Sequence, residues 1–179
     1  MTADGFHAQV DMRGVLAGLD LLAGPIANHL ARSMAVAGGQ VLRDEAKLLV
    51  PVGTEEGGSI YPGALRDAIY LAYKDSGSTG KNIRYSVSWN AKKAPHGHLV
   101  EFGHWQIYKV AKIPGGYGGG YYTTKIKLDA PKWTPAYPFL RPALDSAGPR
   151  ARAAMLERGS QRLPELLQGA YQPPDEDFI

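Results

Sequence analysis

Three histidines flank a carboxylate in the stretch Pro95-His96-Gly97-His98-Leu99-Val100-Glu101-Phe102-Gly103-His104. Zinc requires three or four such donors converging on one point. His98 and Glu101, three residues apart, would share a face if the segment were helical. The spacing is nevertheless not H-E-x-x-H, and the other histidines, His7 and His29, are far away in sequence. A structural or solvated role is therefore the preferred reading, and no metal site is expected. Glu101, between Val100 and Phe102 and just before Gly103, suits an acceptor for nearby backbone donors that fixes a turn. Nucleophilic chemistry has no better foothold. The chain has no cysteine and no G-x-S-x-G elbow. The glycine-rich run Pro114–Tyr122 lacks the G-K-[ST] ending of a phosphate-cradling loop. Asp44-Glu45 and Glu55-Glu56 are adjacent pairs, which diverge on a helix instead of converging. Catalytic residues and cofactors are expected to be none.

Residues 104–133 carry a different chemistry. Lys109, Lys112, Lys125, Lys127 and Lys132 stand against Asp129 alone, interleaved with Trp105, Tyr108, Tyr117, Tyr121, Tyr122 and Trp133. Lysines among aromatic rings suit nucleic-acid backbones and stacked bases. They equally suit a hairpin whose aromatics pack on a neighbouring subunit, and the glycine tip favours the neighbour. The wider charge pattern agrees that this half meets partners. Of the 20 basic and 17 acidic side chains, residues 1–90 hold 8 and 9, residues 91–170 hold 12 and 5, and residues 171–179 hold three acids and no base.

The elements that must position these residues follow from periodicity. Met12, Val15, Leu16, Leu19 and Leu22 form one helical stripe. Ile26, Leu30, Met34, Ala37, Val41 and Leu48 continue a 3.6-residue period. It ends near Val50, because Pro51 disfavours helix in the residue before it. Gly38-Gly39 inside that run weakens it by about 1 kcal/mol per glycine relative to alanine. A loop over 52–62 leads to a short helix, Gly63 to Ile69. The period then becomes two: Tyr70–Lys74 and Ile83–Trp89 are strands across a turn at 75–80, with Ile83, Tyr85, Val87 and Trp89 on one face. The arm has β-like ends at 107–113 and 121–128, and a last helix runs from about Leu140 to Leu167. The 179 residues and 44% hydrophobic content suit one domain with a real core. No stretch reaches the ~20 apolar residues of a spanning helix, and no secretion signal is read at the N-terminus.

Four segments, in order, carry a family resemblance: Ala46-Lys47-Leu-Leu-Val-Pro51, Gly63-Ala-Leu65-Arg66-Asp-Ala-Ile69, Leu99-Val100-Glu101-Phe102-Gly103, and Pro138-Phe139-Leu140-Arg141-Pro142-Ala-Leu144. Together they resemble the head–tail joining or tail-completion proteins of tailed bacteriophages, which include neck and minor tail components. Ala68 stands where that family usually has serine and His104 where it has threonine. The loop after Pro51 is long and the arm large.

The resemblance implies an α+β fold: an antiparallel sheet packed against a long N-terminal helix and a C-terminal helix, with a protruding β-hairpin arm at 104–133. It implies one neck or tail-completion domain over 1–170, followed by a flexible acidic tail over 171–179. Leu65, Ile69, Leu99, Val100, Phe102, Phe139 and Leu140 are the expected core positions. Arg141 is expected to be paired at the start of the last helix, with Pro138 and Pro142 stiffening its entry. The implied function is structural: a ring joining capsid to tail around the DNA channel, six-fold by analogy or twelve-fold. Its partners would be itself, neighbouring neck, head-completion and tail-terminator or tail-tube proteins, and the passing DNA, with no membrane. It would be made in the bacterial cytoplasm and reside in the virion. The alternative is a nucleic-acid-binding domain using the Tyr/Lys-rich arm.

Overall fold

A computed structural model describes residues 24–53, 62–79, 82–112 and 121–168. The helical stripe over 12–22, Tyr117, the arm's tip and the acidic stretch 171–179 lie outside the described residues. The elements are α1 (Gly24–Leu49), α2 (Ala64–Ala68), β1 (Ile69–Tyr73), β2 (Tyr85–Trp89), α3 (Gly97–Phe102), β3 (His104–Lys112), β4 (Tyr121–Thr134) and α4 (Leu140–Leu167). The fold is α+β.

The two long helices form its frame. On α4, Ala143, Ala147, Ala151, Met155 and Gly159 are all buried and spaced four residues apart. That is one continuous ridge, and its small side chains let α1 approach closely. Leu30 and Met34 share a core cluster with Met155 and Leu166. At the other end, Leu42, Ala46 and Val50 pack with Phe139, Leu140 and Ala143. The helices are therefore antiparallel. Polar ties cross the seam: Ser146 and Arg150 both donate to Glu45, and Arg158 donates to Ser33 Oγ at 2.9 Å.

Gly38-Gly39 does not break α1, because tertiary contacts need both positions bare. A Cβ on Gly38 would lie 2.5 Å from Met155 Cγ on α4. One on Gly39 would lie 2.6 Å from Leu71 Cδ1 on β1. The helix touches two layers at this point, and packing outweighs propensity.

β1 and β2 pair antiparallel, Ile69 opposite Trp89 and Tyr73 opposite Tyr85. Val87 and Trp89 are buried, as alternation predicts, but so is Ser86 on the opposite face. The antiparallel sheet and the hairpin arm form as expected, and among the described residues they are two separate two-stranded sheets, β1–β2 and β3–β4. The chain between β2 and β3 turns through α3 and then through Gly103 at φ +71°. β3 thereby leaves the first sheet and pairs only with β4.

Candidate functional site

The root of the arm is a junction between two distant stretches of chain. Glu101 on α3 is buried, and its Oε2 accepts hydrogen bonds from the backbone N–H of Phe139 at 2.9 Å and of Leu140 at 3.3 Å. These are donors that a helix start leaves without intrahelical partners. Phe139's own side chain cannot cap, and Pro142 has no N–H to satisfy. The carboxylate also sits at the positive end of the α4 dipole, where negative charge is favoured. The arm's root is fixed further by Tyr137 N–H donating to Val100 O at 2.8 Å.

Beneath this junction Phe139 is fully buried, 0% exposed, and meets Trp89 edge-on with ring centroids 6.1 Å apart. Gly97 starts α3 directly against Trp89; any Cβ there would collide with the indole nitrogen. Gly103 is equally constrained, by its positive φ and by Ala136 N and Thr134 O, 2.8 and 2.9 Å from where a Cβ would sit. Every chain crossing at the root is thus over-determined, and the arm leaves from a rigid base.

The arm itself is a long irregular hairpin. Trp105 pairs with Trp133, Gln106 with Lys132, Tyr108 with Lys127 and Ala111 with Tyr122, with register shifts between Gln106 and Tyr108 and between Tyr108 and Val110. Thr124 Oγ1 donates to Lys109 O across the strands at 2.8 Å. Its apolar residues face solvent. Trp105 is 60% and Trp133 46% exposed, their rings 5.3 Å apart and tilted. Tyr108, Tyr122, Lys109, Lys125, Lys127 and Lys132 are exposed as well. Lys112 and Tyr121 close the described part of the pairing. Ile107, Val110 and Ile126, which residue patterning had not singled out, add to this exposed apolar surface. So does Tyr137 beside the root.

Several expected positions are corrected. Phe102 is 60% exposed, not core. Glu101 takes the inward position on α3, and the next residue on a helix points about 100° away. Leu99 is half-buried, whereas Val100 is partly buried and packs against the main core. Leu65, Ile69 and Leu140 are buried, while the neighbouring Arg66 is exposed. Arg141 is exposed and, among the described residues, makes no ion pair or hydrogen bond. It follows the buried Leu140 on the exposed side of the helix start. Glu101 itself fixes no local turn; its donors lie 38 and 39 residues further along the chain.

The histidines do not converge. Among the described residues no three His, Asp or Glu side chains are placed to hold a metal ion. Burial, and then the neighbouring His98, push His96 below the usual imidazole range. His29 is lowered by burial, then by Arg32 and Arg162. Burial raises the Tyr85 phenol, and Arg32, stacked 4.5 Å over Tyr73, opposes that rise.

The fold defines a class in structural terms only: an α+β chain with two long antiparallel helices, a two-stranded sheet and a hairpin arm. Residues 15–103, just under half of the chain, match the family described as "Bacteriophage HK97-gp10, putative tail-component". The match covers α1 through α3 and stops at Gly103, where the arm begins. No curated protein and no solved structure matches the chain significantly. The matched description is that of a structural phage component. No helix among the described residues is long and apolar enough to cross a membrane.

Proposed function

We propose that the chain is a connector of the phage neck or tail end. Identical copies form a closed ring around the DNA channel, and the arm of each copy docks on its neighbour or on the adjoining ring. Head-to-tail contacts with cyclic closure build such rings from one surface and its complement. The adjoining rings would be head-completion and tail-terminator or tail-tube proteins, and assembly would take place in the host cytoplasm. No catalytic step is assigned to it.

The observation that carries this reading is the exposed Trp105–Trp133 pair on a two-stranded hairpin. A two-stranded hairpin alone in water is marginally stable at best, and large exposed apolar patches mark interaction sites. Paired tryptophans make an anchor, and the exposed lysines around them make a polar rim. Leu65, Ile69, Phe139 and Leu140 serve as core, and Glu101 and Gly103 hold the arm's direction. Deleting residues 114–122 tests the role of the arm. The shortened chain should fold, with an unchanged far-ultraviolet spectrum, yet fail to complement head–tail joining. Infectious particles assembled with the shortened chain would refute it.

A further inference from the structure

The cations of the chain are held in two different ways. On the helical frame several arginines are already partnered: Arg43 pairs with Asp44, Arg150 with Glu45 and Arg162 with Glu165, and Arg158 donates to Ser33. On the arm Lys109, Lys125, Lys127 and Lys132 are exposed, and among the described residues none of them forms an ion pair. The same holds for Lys92 and Lys93 on the turn before α3, and for Arg141, which follows the Leu140 amide bound by Glu101. Against them the described part of the arm and its root exposes one acid, Asp129. Glu101 is only 6% exposed, and its oxygen is committed to the α4 backbone. A surface of one sign repels itself, and a polyanion laid along it removes that repulsion.

We propose that the arm and its root bind the phosphate backbone of duplex DNA without reading its sequence. The proposal rests on the reading of the arm as an interaction element and gives it a second partner. The Trp105–Trp133 pair meets protein, and the lysines meet DNA.

The choice of residue favours DNA over an acidic protein surface. From Tyr85 to Leu140 the chain has no arginine, so every Lys/Arg cation of the arm is a lysine. Protein interfaces are enriched in arginine and depleted in lysine. Lysine is a hydrated point charge that meets a phosphate without a fixed geometry. Without arginine the arm also lacks the usual bidentate reader of guanine, which leaves the contact indifferent to sequence. The dimensions agree. The nine residues of β3 span about 30 Å at ~3.3 Å each. A duplex carries about 18 phosphates over that length, at one per ~1.7 Å. Each lysine therefore finds a phosphate in any register, and a contact of this kind lets the duplex slide. A single strand would need rings to stack on, but the two indoles lie against each other, centroids 5.3 Å apart, with no gap for a base between them.

The test titrates a fluorescent 30-base-pair duplex with the full chain and follows anisotropy across a range of salt. Two duplexes of unrelated sequence should bind within about twofold of each other. Replacing Lys109, Lys125, Lys127 and Lys132 by glutamine should flatten the slope of log affinity against log salt by about 3–4, at about 0.9 per phosphate contact. Replacing the same four by arginine should keep the slope, and Arg152→Gln, an exposed cation on α4, should leave it unchanged.

Absent binding at 50 mM salt, or a slope indifferent to loss of the four lysines, overturns the proposal. So does polyaspartate that displaces the duplex as well as unlabelled duplex does at equal charge, which would make an acidic protein surface the partner. Tighter binding of the single strand, lost in Trp105→Ala with Trp133→Ala, would overturn the duplex assignment. Rings that form from wild-type chain without binding DNA would refute this inference and leave the proposed function standing. DNA binding by a chain that forms no ring would do the reverse.

Discussion

Glu101→Gln isolates the contact that joins the arm's root to α4. The substitution keeps the size of the side chain and one acceptor oxygen but removes the charge. A hydrogen bond to a charged group contributes about 1.5–3 kcal/mol, against about 1 for a neutral pair. The Phe139 bond at 2.9 Å is of full strength, and the Leu140 bond at 3.3 Å is long and weaker. The amide also brings an NH₂ into a buried site in which Glu101 is only 6% exposed. Together with the lost dipole interaction this amounts to a loss of about 2–3 kcal/mol. In a chain of this size each kcal/mol lowers Tm by about 2–4 °C, so the variant should melt about 4–12 °C lower. Glu101→Ala, which leaves both donors without an acceptor and opens space, should melt lower still. Thermal circular dichroism at 222 nm gives the size of the effect, and amide exchange gives its location. Phe139 and Leu140 amides should exchange faster in Glu101→Gln, with amides in the middle of α1 changed only by the global loss. A Tm within 1 °C of wild type would refute the reasoning.

Phe139→Ala should cost about 3–5 kcal/mol, as for other fully buried aromatics, and denaturant titration would expose an error if the midpoint stayed put. Gly97→Ala forces a methyl group against the Trp89 indole and should destabilise by about 1–3 kcal/mol, accompanied by a change in tryptophan fluorescence; a neutral result would mean that α3 can move away freely. The pH dependence has a definite sign. His29 and His96 both lie below the unperturbed value of 6.5 in the folded chain, so the unfolded chain binds more protons. Their contribution is present above that value and is lost as pH falls through the folded values. Tm should therefore drop between pH 7.5 and 5, and His96→Gln should flatten part of the drop; an unaltered slope in that variant would exclude His96 as a source.

Local order was readable wherever one period dominated. α1, the β1–β2 pair, the hairpin and α4 follow from apolar spacing, and the prolines and glycines mark their ends. What failed to show in the sequence depends on contacts between distant residues. Nothing near Glu101 indicates that its donors lie beyond a thirty-residue insertion, since both stretches are locally complete. Phe102 is as apolar as Phe139, and only the orientation of α3 decides that one faces outward and the other inward. Gly38-Gly39 looked like a helix weakness because the two side chains that need its space, Met155 and Leu71, are far along the chain.

The central claim is that this chain is a structural ring component of the phage particle. Electron microscopy of intact particles tests it directly, using virions in which the chain carries a small electron-dense or antibody-recognised tag. The account predicts a closed ring of copies between capsid and tail, with each arm in contact with a neighbouring protein. Particles that contain no copy of the chain, or that hold it as isolated copies away from the neck and tail end, would contradict it.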